Sequence, residues 1–227
     1  MTAPIPVSIH SQTLWVSAGR SLFWEEESTL IVSDLHFGKT GHFRKAGIPV
    51  PPQVNREDLQ RLIQEAVHFR ARRLILTGDL FHSDENLELA LFARWRVGIP
   101  VEETILVRGN HDVLRTQAYE ELGLTVHDRC LVRGPFRFVH DPDDPHGASP
   151  NLYTLAGHLH PGIRLSGLGR QSLRLPCFFF GTDMAILPAF SRFTGLALLD
   201  PSLGEHVIAV VPGHSRGSGP ATLVRIR

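Results

Sequence analysis

Three short apolar runs, each followed at once by a polar motif, constrain the fold of this chain more than any other feature. The runs are Leu30–Val32, Leu74–Leu76 and Ile105–Val107. None of them alternates apolar with polar residues, so each is typical of a strand that is covered on both faces. The pattern therefore predicts a sheet flanked by helices.

Helical periodicity fills the gaps between these runs. One helix is expected around Leu59–Val67, after Pro51 and Pro52, and a second around Leu89–Val97, before Gly98. A third, short helix is expected between Asp112 and Gly123. Beyond that point short strand-like runs dominate, so the first half is α/β and the second half is mostly β. Two sheets packed face to face, with helices outside, would use both halves.

Length and composition predict one globular domain. The chain has 227 residues, which is enough for a sizeable core, and 42% of them are hydrophobic. We expect a single domain over residues 1–227, with a flexible loop at 213–220, where Gly and Ser are frequent. The formal net charge is zero. A nucleic-acid partner would therefore need a local basic patch, because bulk charge offers it no attraction.

No targeting signal and no disulfide pattern is visible in the sequence. The first ten residues lack the basic and apolar regions of a signal peptide, and no run approaches the ~18 apolar residues of a membrane span. A cytoplasmic location is the default expectation. Cys130 and Cys177 have no metal-site spacing, and we interpret both as buried free thiols.

Five polar motifs follow one another in an order that supplies ligands for two metal ions. They are Asp34-x-His36, Gly78-Asp79, Gly109-Asn110-His111-Asp112, His140, and Gly157-His158-Leu159-His160. Carboxylate, amide and imidazole donors without Cys suit Mn²⁺, our first choice, or Fe or Zn²⁺ as alternatives. Two adjacent metals commonly cleave phosphate esters, because together they hold the attacking and the leaving oxygen.

Three of the motif residues, Asp34, Asp79 and Asn110, directly follow the apolar runs. Ligands of open α/β sheets bind beyond the carboxyl ends of the strands, so three loops would bring these side chains to one rim. Each residue alone could equally be a helix cap or a turn residue. The complete motif order favours a site, because caps do not require a His two residues after an Asp.

The spacing within the motifs predicts local backbone geometry. In an extended segment, the i, i+2 spacing of Asp34 and His36, and of His158 and His160, would put each pair on one side of the chain. Glycines also precede the polar residues, and we expect them to let the backbone turn sharply beside the site. These glycines are Gly78, Gly109 and Gly157.

From Asp34 to His160 the motifs resemble those of the calcineurin-like binuclear metallophosphoesterase superfamily. The resemblance implies a four-layer αββα sandwich with the dimetal site at the carboxyl ends of the strands. It also implies the ligand sets: Asp34, His36 and His160 for one metal, Asn110, His140 and His158 for the other, and Asp79 as the bridge. His111 would sit by the phosphate and the leaving group without binding metal.

Nearly the whole chain resembles one branch of that superfamily, the ligase-associated DNA damage response endonucleases. The stretches that carry this resemblance are Phe37–Pro51, Gly157–Gly162 and Phe178–Gly195. The resemblance implies a DNA endonuclease that acts in DNA repair, in functional association with a DNA ligase and a helicase. It implies no membrane partner.

The segment Gly78–Ser83 looks like the second motif of nucleases in the double-strand-break repair complex. In those nucleases, the His three residues after the bridging Asp pairs with the His of the Asn-His-Asp motif, and His82 matches that position. We expect His111 to stabilise or protonate the leaving oxygen, with His82 or Asp112 setting its tautomer. A place in a surface loop is the alternative for His82.

Two basic patches are candidates for substrate binding. Lys39, His42 and Arg44 lie in an irregular segment predicted to be a loop near the site, where they would bind phosphates flanking the scissile one. An ordinary solvated loop would have the same composition. The second patch consists of Arg164, Arg170 and Arg174.

The expected substrate is single-stranded DNA or a flap. No large insertion separates the motifs to grip a duplex, and zero net charge gives little attraction for its dense phosphates. Phe37 and Phe43 could stack on bases or pack in the core. Two other functions stay open: hydrolysis of a small phosphoester such as a nucleotide, cyclic nucleotide or lipid precursor, and a binding scaffold that has lost catalysis.

Overall fold

The computed structural model describes residues 2–38, 53–81, 86–167, 171–192, 194–213 and 220–226. Within these residues the first half of the chain forms a seven-stranded sheet whose spatial order follows the chain. Its strands are β1 (Ile5–Ile9), β2 (Gln12–Ser17), β3 (Ser21–Trp24), β4 (Thr29–Ser33), β5 (Arg73–Thr77), β6 (Glu103–Val107) and β7 (Thr125–His127). Strands β1 to β4 pair antiparallel, and β4 to β7 pair parallel.

Three helices make the crossovers between the parallel strands: α1 (Gln53–Phe69), α2 (Asn86–Gly98) and α3 (Thr116–Glu121). The three apolar runs are β4, β5 and β6, buried on both faces as predicted. Leu59, Leu62 and Ala66 of α1 pack against Leu30 and Leu74 on the outer face of this sheet. The apolar stripe of α1 therefore fixes the helix layer to the first sheet.

The second half of the chain forms a nine-stranded sheet. Its strands are β8 (Cys130–Arg133), β9 (Phe136–Val139), β10 (Tyr153–Ala156), β11 (Pro161–Ser166), β12 (Ser172–Phe180), β13 (Met184–Ile186), β14 (Ala197–Leu198), β15 (His206–Val211) and β16 (Thr222–Arg225). The spatial order is β14-β11-β12-β13-β10-β9-β8, with β15 paired to β12 and β16 to β15.

The inner faces of the two sheets enclose the main core. Trp24 and Ile31 of the first sheet belong to the same buried cluster as Phe136, Phe138 and Phe178 of the second. The Trp24 and Phe136 rings meet edge to face, with centroids 4.9 Å apart. This packing confirms the predicted class of fold, two sheets packed together with helices.

The outer face of the second sheet carries a smaller cluster. Its buried members are Ile163, Leu175, Cys177, Val207 and Ala209. Among the described residues no helix contributes to this cluster, since α1, α2 and α3 all pack in the cluster on the outer face of the first sheet. A helix layer over this sheet, which the resemblance implies, is therefore not part of the described chain. No described helix has the length and apolar character needed to cross a membrane.

The two cysteines differ in burial. Cys177 lies in the outer cluster, and its burial raises the pKa of the thiol to about 12. Cys130 is partly exposed, so the expectation of a buried thiol is wrong there. The reason is its place at the start of β8, which is an edge strand of the second sheet. Residues 214–219, most of the predicted flexible loop, lie outside the described residues.

Candidate metal centre

The structure brings all seven expected metal ligands to one rim of the sandwich. In the first sheet, Asp34 and His36 follow β4, Asp79 follows β5, and Asn110 follows β6. In the second sheet, His140 follows β9, His158 follows β10, and His160 immediately precedes β11. A parallel bridge between Ser33 and Ala189 joins the end of β4 to the segment after β13 at this rim.

One group of potential ligand atoms consists of Asp34, His36 and His160. These atoms all lie within 4.8 Å of one another. The Nε2 atoms of His36 and His160 are 3.2 Å apart, and His160 Nε2 lies 3.4 Å from Asp34 Oδ1. Donor atoms from the two sheets thus converge on one point.

The second group consists of Asp79, His140 and His158, again with ligand atoms within 4.8 Å of one another. His158 Nδ1 lies 3.0 Å from His140 Nε2. The Asn110 side-chain oxygen lies 2.9 Å from the same His140 nitrogen, so Asn110 adds a fourth donor to this group.

Asp79 lies between the two groups. Its Oδ2 is 3.9 Å from His36 Nε2 in the first group and 3.4 Å from His140 Nε2 in the second. Its Oδ1 accepts a hydrogen bond of 2.9 Å from the backbone amide of His111. One carboxylate oxygen is therefore within reach of both groups, as a bridging ligand must be.

The Asp34 carboxylate is suited to a cation. Its Oδ2 accepts hydrogen bonds from the Ser33 hydroxyl and the His158 amide, whereas the buried Oδ1 has no hydrogen-bond donor among the described residues. Burial opposes ionisation, but the nearby imidazole of His160 and the positive charge that His140 and His160 can carry outweigh it and lower the pKa of Asp34. Buried polar atoms are normally satisfied, so the bare Oδ1 and the mixed donor set fit divalent metals at these groups.

The backbone at the ligands is left-handed rather than extended. The φ angles are 52° at Asp34, 44° at His36, 45° at Asp79, 66° at His158 and 48° at His160. The expectation that each i, i+2 pair lies on an extended segment is therefore wrong. Left-handed residues other than Gly are uncommon and cost free energy, and such strain concentrates at functional sites.

The glycines of the motifs are needed for two different reasons. Gly78 has a φ of 79°, so it makes the sharp turn that the sequence predicts. Gly157 has no left-handed backbone, but a Cβ there would overlap the Ser33 hydroxyl oxygen. Close approach of the two sheets, rather than backbone freedom, therefore requires glycine at position 157.

His111 lies at the mouth of the first group. Its ring is half-buried and meets the His36 ring edge to face, with centroids 5.8 Å apart. It is not one of the residues of the two ligand groups. This position is compatible with a role beside the reacting phosphate.

Asp112 contacts backbone amides. Its Oδ1 accepts hydrogen bonds from Leu80 and Phe81 at 3.0 and 3.2 Å, and its Oδ2 accepts one from Gly109 at 2.9 Å. Burial raises the pKa of Asp112 to about 6, although the Gly109 and Phe81 amides oppose the shift. The carboxylate thus ties the loop after β5 to the loop after β6, and a role of Asp112 in setting the tautomer of His111 stays a prediction.

Two half-buried arginines behind the Asp34 loop were not predicted from the sequence. The amides of Phe190 and Ser191 donate to the carbonyls of Ser33 and Asp34, at 2.7 and 3.2 Å. Arg20 donates in turn to the carbonyls of Ala189 and Ser191, at 3.1 and 2.8 Å. Arg61 donates to the Phe190 carbonyl and pairs with Asp58 at 3.0 Å. Both arginines are remote from the motifs in sequence, so no local signal identifies them.

Several expected residues fall outside the described part of the chain: His82, Lys39, His42, Arg44, Phe43 and Arg170. Phe37 is buried and packs against Phe81 and Phe92, so core packing is the correct alternative for it. Arg164 and Arg174 are described and exposed.

A groove of about 450 Å³ opens beside the second ligand group, and its lining includes Arg108, Asn110, Arg129, Asp141 and His158.

A two-sheet sandwich with two adjoining ligand groups at its rim is the arrangement of metal-dependent phosphoesterases. The model of the family described as calcineurin-like phosphoesterase matches residues 28–189, and the chain belongs to this family. The family uses two divalent metals, which agrees with the two ligand groups. The superfamily resemblance read from the motifs is thereby confirmed.

Among solved structures, the chain is similar to the Pseudomonas putida nuclease MPE. The identity is 30%, the match covers 91% of this chain and 96% of the nuclease, and the TM-score is 0.76. The Aquifex aeolicus protein AQ665, of unknown function, matches at 19% identity over 58% of this chain and 78% of its own, with a TM-score of 0.42 that carries no argument. No curated protein is significantly similar to the chain.

Proposed function

We propose that this phosphoesterase is a DNA endonuclease that hydrolyses phosphodiester bonds in single-stranded DNA with two divalent metals. The observation that carries the proposal is the position of Asp79 Oδ2, within 3.9 Å of a donor atom in each ligand group. Such an arrangement of donor atoms would allow two cations to act on one phosphate. The similarity to a nuclease over 91% of the chain supports nucleic acid as the substrate.

The ligand roles follow the two groups. Asp34, His36 and His160 would hold one metal, and Asn110, His140 and His158 the other, with Asp79 shared. When bound, the metals act as Lewis acids that activate water and neutralise charge on the phosphate oxygens. Mn²⁺ is our first choice, with Fe and Zn²⁺ as alternatives, because these ions accept mixed oxygen and imidazole ligands.

His111 is the residue we assign to the leaving group. Its backbone amide is anchored on Asp79, so its half-buried ring is held at the mouth of the first ligand group. An imidazolium there would donate its proton to the leaving oxygen of the scissile phosphodiester. We assign Asp112 to positioning the loops, and His82 stays the predicted partner of His111.

Burial of the ligands favours a single strand. Asp34, His36, Asp79 and His140 are each at most 5% exposed, so a phosphate must enter a recess to reach them. Duplex DNA is stiff over about 150 base pairs, whereas a single strand bends readily and can present one phosphate to a recess. Roles in DNA repair, and with a ligase and helicase, rest on the branch resemblance and stay predictions.

A small phosphoester is the second candidate substrate. The groove of about 450 Å³ beside the second ligand group has the size of pockets that hold small ligands. Arg108 and Arg129 line it, but Asp128, Asp141 and Asp144 do so as well. These three carboxylates would repel a nucleotide's phosphates. The groove therefore supports a small phosphoester less strongly than the ligand groups at the rim support a nuclease.

The test is hydrolysis by metal-stripped protein that is reconstituted with Mn²⁺, Fe²⁺, Zn²⁺ or Mg²⁺. Substrates are a single-stranded oligonucleotide, its duplex, a set of nucleotides and an aryl phosphodiester. We expect internal cleavage of the single strand and little cleavage of the duplex. Efficient nucleotide hydrolysis without DNA cleavage under any metal would overturn the nuclease proposal in favour of the second candidate. Inactivity on every substrate with two bound ions would favour a binding scaffold.

A further inference from the structure

The hairpin of β11 and β12 extends beyond the rim that holds the metal ligands. Strand β10 is parallel to β13, and β12 is antiparallel to both β13 and β11, so β11 runs in the same direction as β10. Strand β10 ends just before the ligand His158, whereas β11 begins just after the ligand His160. Strand β11 therefore continues outward from the level at which β10 stops.

The pairing register supports this geometry. Ala156, at the end of β10, pairs with Ile186, which pairs in turn with Phe179 on β12. The preceding residues of β12, Ser172 to Pro176, pair with β11. This part of β12 therefore lies past the end of β10 and forms, with β11, an arm that extends beyond the rim.

One face of the arm turns towards the first sheet. Phe178 on β12 lies in the core between the sheets, and Cys177 lies in the cluster on the opposite face. Because side chains alternate along a strand, Arg174 shares the face of Phe178. The register places Arg164 opposite Arg174 and Ser166 opposite Ser172. Two arginines and two serines therefore lie on the side of the second sheet where the first-sheet ligands are.

The two arginines are a costly pair unless an anion joins them. Both are exposed, and no described carboxylate lies within ion-pair distance of either. Directly opposed residues have Cβ atoms about 4.5–5.5 Å apart, and like charges there destabilise a strand pair. Guanidinium groups bind phosphate oxygens with two parallel hydrogen bonds, so a phosphate between them would relieve the repulsion.

We propose that Arg164 and Arg174 bind a backbone phosphate of the DNA strand next to the one that is cleaved. This inference rests on the proposed nuclease function. Arg164 lies four residues beyond His160, which is about 13 Å along an extended strand, so the pair reaches a neighbouring phosphate and not the scissile one. Ser166 and Ser172 extend the same face and donate hydrogen bonds to the strand as it leaves the centre.

The test uses two variants and a matched control. Arg164→Gln/Arg174→Gln removes both charges. Arg164→Glu creates a cross-strand ion pair with Arg174, so it removes the phosphate site while stabilising the hairpin. The control is Arg94→Gln, an exposed arginine on α2 whose helix packs on the outer face of the first sheet. Substrates are a long single strand, a dinucleotide and an aryl phosphodiester, and metal-free binding of the long strand is followed by fluorescence anisotropy.

We expect both hairpin variants to lower kcat/KM on the long strand by about tenfold or more, mainly through KM. The salt dependence of binding should weaken by about 0.7 in log–log slope for each phosphate that the protein no longer neutralises. The dinucleotide and the aryl diester should be hydrolysed as by the unmodified protein, because neither reaches the arm. Arg164→Glu should melt no lower than the unmodified chain.

Three results would separate the possible failures. Unchanged affinity, slope and long-strand cleavage in both variants would overturn the hairpin proposal and leave the nuclease function intact. Equal losses on all three substrates would also overturn it, because the arm would then belong to the catalytic centre. If the unmodified protein cleaves no DNA, the proposed function fails, and the anisotropy comparison alone decides whether the arm binds a strand.

Discussion

The two sheets contribute different donor atoms to the candidate metal centre. The first supplies every oxygen donor and one imidazole, from Asp34, Asp79, Asn110 and His36. The second supplies imidazoles alone, from His140, His158 and His160. Each ligand group combines members of both sheets. The centre is therefore complete only when the sheets are packed, and metal affinity should be coupled to folding.

The two sheets also differ in what fixes their ligand residues; we call the first sheet's ligands the oxygen side and the second sheet's ligands the imidazole side. The oxygen side follows three buried parallel strands, and Asp112 ties two of its loops together through backbone amides. The imidazole side depends on the docking of β9 and β10 through Phe138 and Leu155, which lie in the core between the sheets. A change on the oxygen side should therefore alter charge and bridging directly, whereas most changes on the other side should alter one ligand group at a time.

The largest effect is expected for the residue shared by the two groups. Asp79→Ala should reduce phosphodiester hydrolysis below detection and remove both ions, because both groups lose an anionic donor. Elemental analysis after reconstitution with Mn²⁺ measures the metal content. The exposed Asp200→Ala serves as control. Two ions retained in Asp79→Ala would mean that the sheets hold their metals independently.

His111 separates chemistry from metal binding. His111→Ala should lower turnover by about 10²–10⁴-fold, the range for a positioned acid–base group, while two ions stay bound. The exposed His206→Ala should leave both quantities unchanged. If His111→Ala loses an ion, His111 belongs among the ligands and the oxygen side has a second imidazole.

Metal removal tests the coupling between the sheets. A metal present at a hundred times its Kd should stabilise the folded chain by about 2.7 kcal/mol, because the unfolded chain has no assembled site. Urea unfolding in Mn²⁺ and in EDTA measures this difference. In Asp79→Ala the two unfolding curves should coincide. Coincident curves for the unmodified chain would show that folding does not assemble a metal site.

The smallest effect on metal binding is expected for a substitution of Arg20, which supports the Asp34 loop from behind. Arg20→Gln removes the guanidinium that donates to the Ala189 and Ser191 carbonyls, so metal affinity should weaken about 10–100-fold, as for other groups that orient ligands. Titration calorimetry with Mn²⁺ measures it, with Arg94→Gln as control. A lower melting temperature with unchanged metal affinity would mean that Arg20 stabilises the fold without positioning Asp34.

Local sequence patterns predicted those strands and helices that an apolar run or an apolar helix face marks in the sequence. The sequence predicted strands β4, β5 and β6 from their apolar runs, and helices α1 to α3 from helical periodicity. Both patterns are properties of a short stretch of chain. The same patterns were misleading at Asp34, His36, His158 and His160, where the backbone is left-handed. A spacing of two residues does not reveal a left-handed backbone, because the packing of the two sheets, and not the local sequence, imposes that conformation.

The sequence by itself determined the three buried strands β4, β5 and β6, the polar residues at their ends and, through the family motifs, the candidate ligands. Only the tertiary structure decided that Asp112 ties two loops together, that Arg20 and Arg61 support the Asp34 loop, and that Arg164 faces Arg174 across a projecting hairpin. The physical reason is the same in each case. These contacts join residues far apart in the chain, and their geometry depends on how two sheets pack and in which register their strands pair.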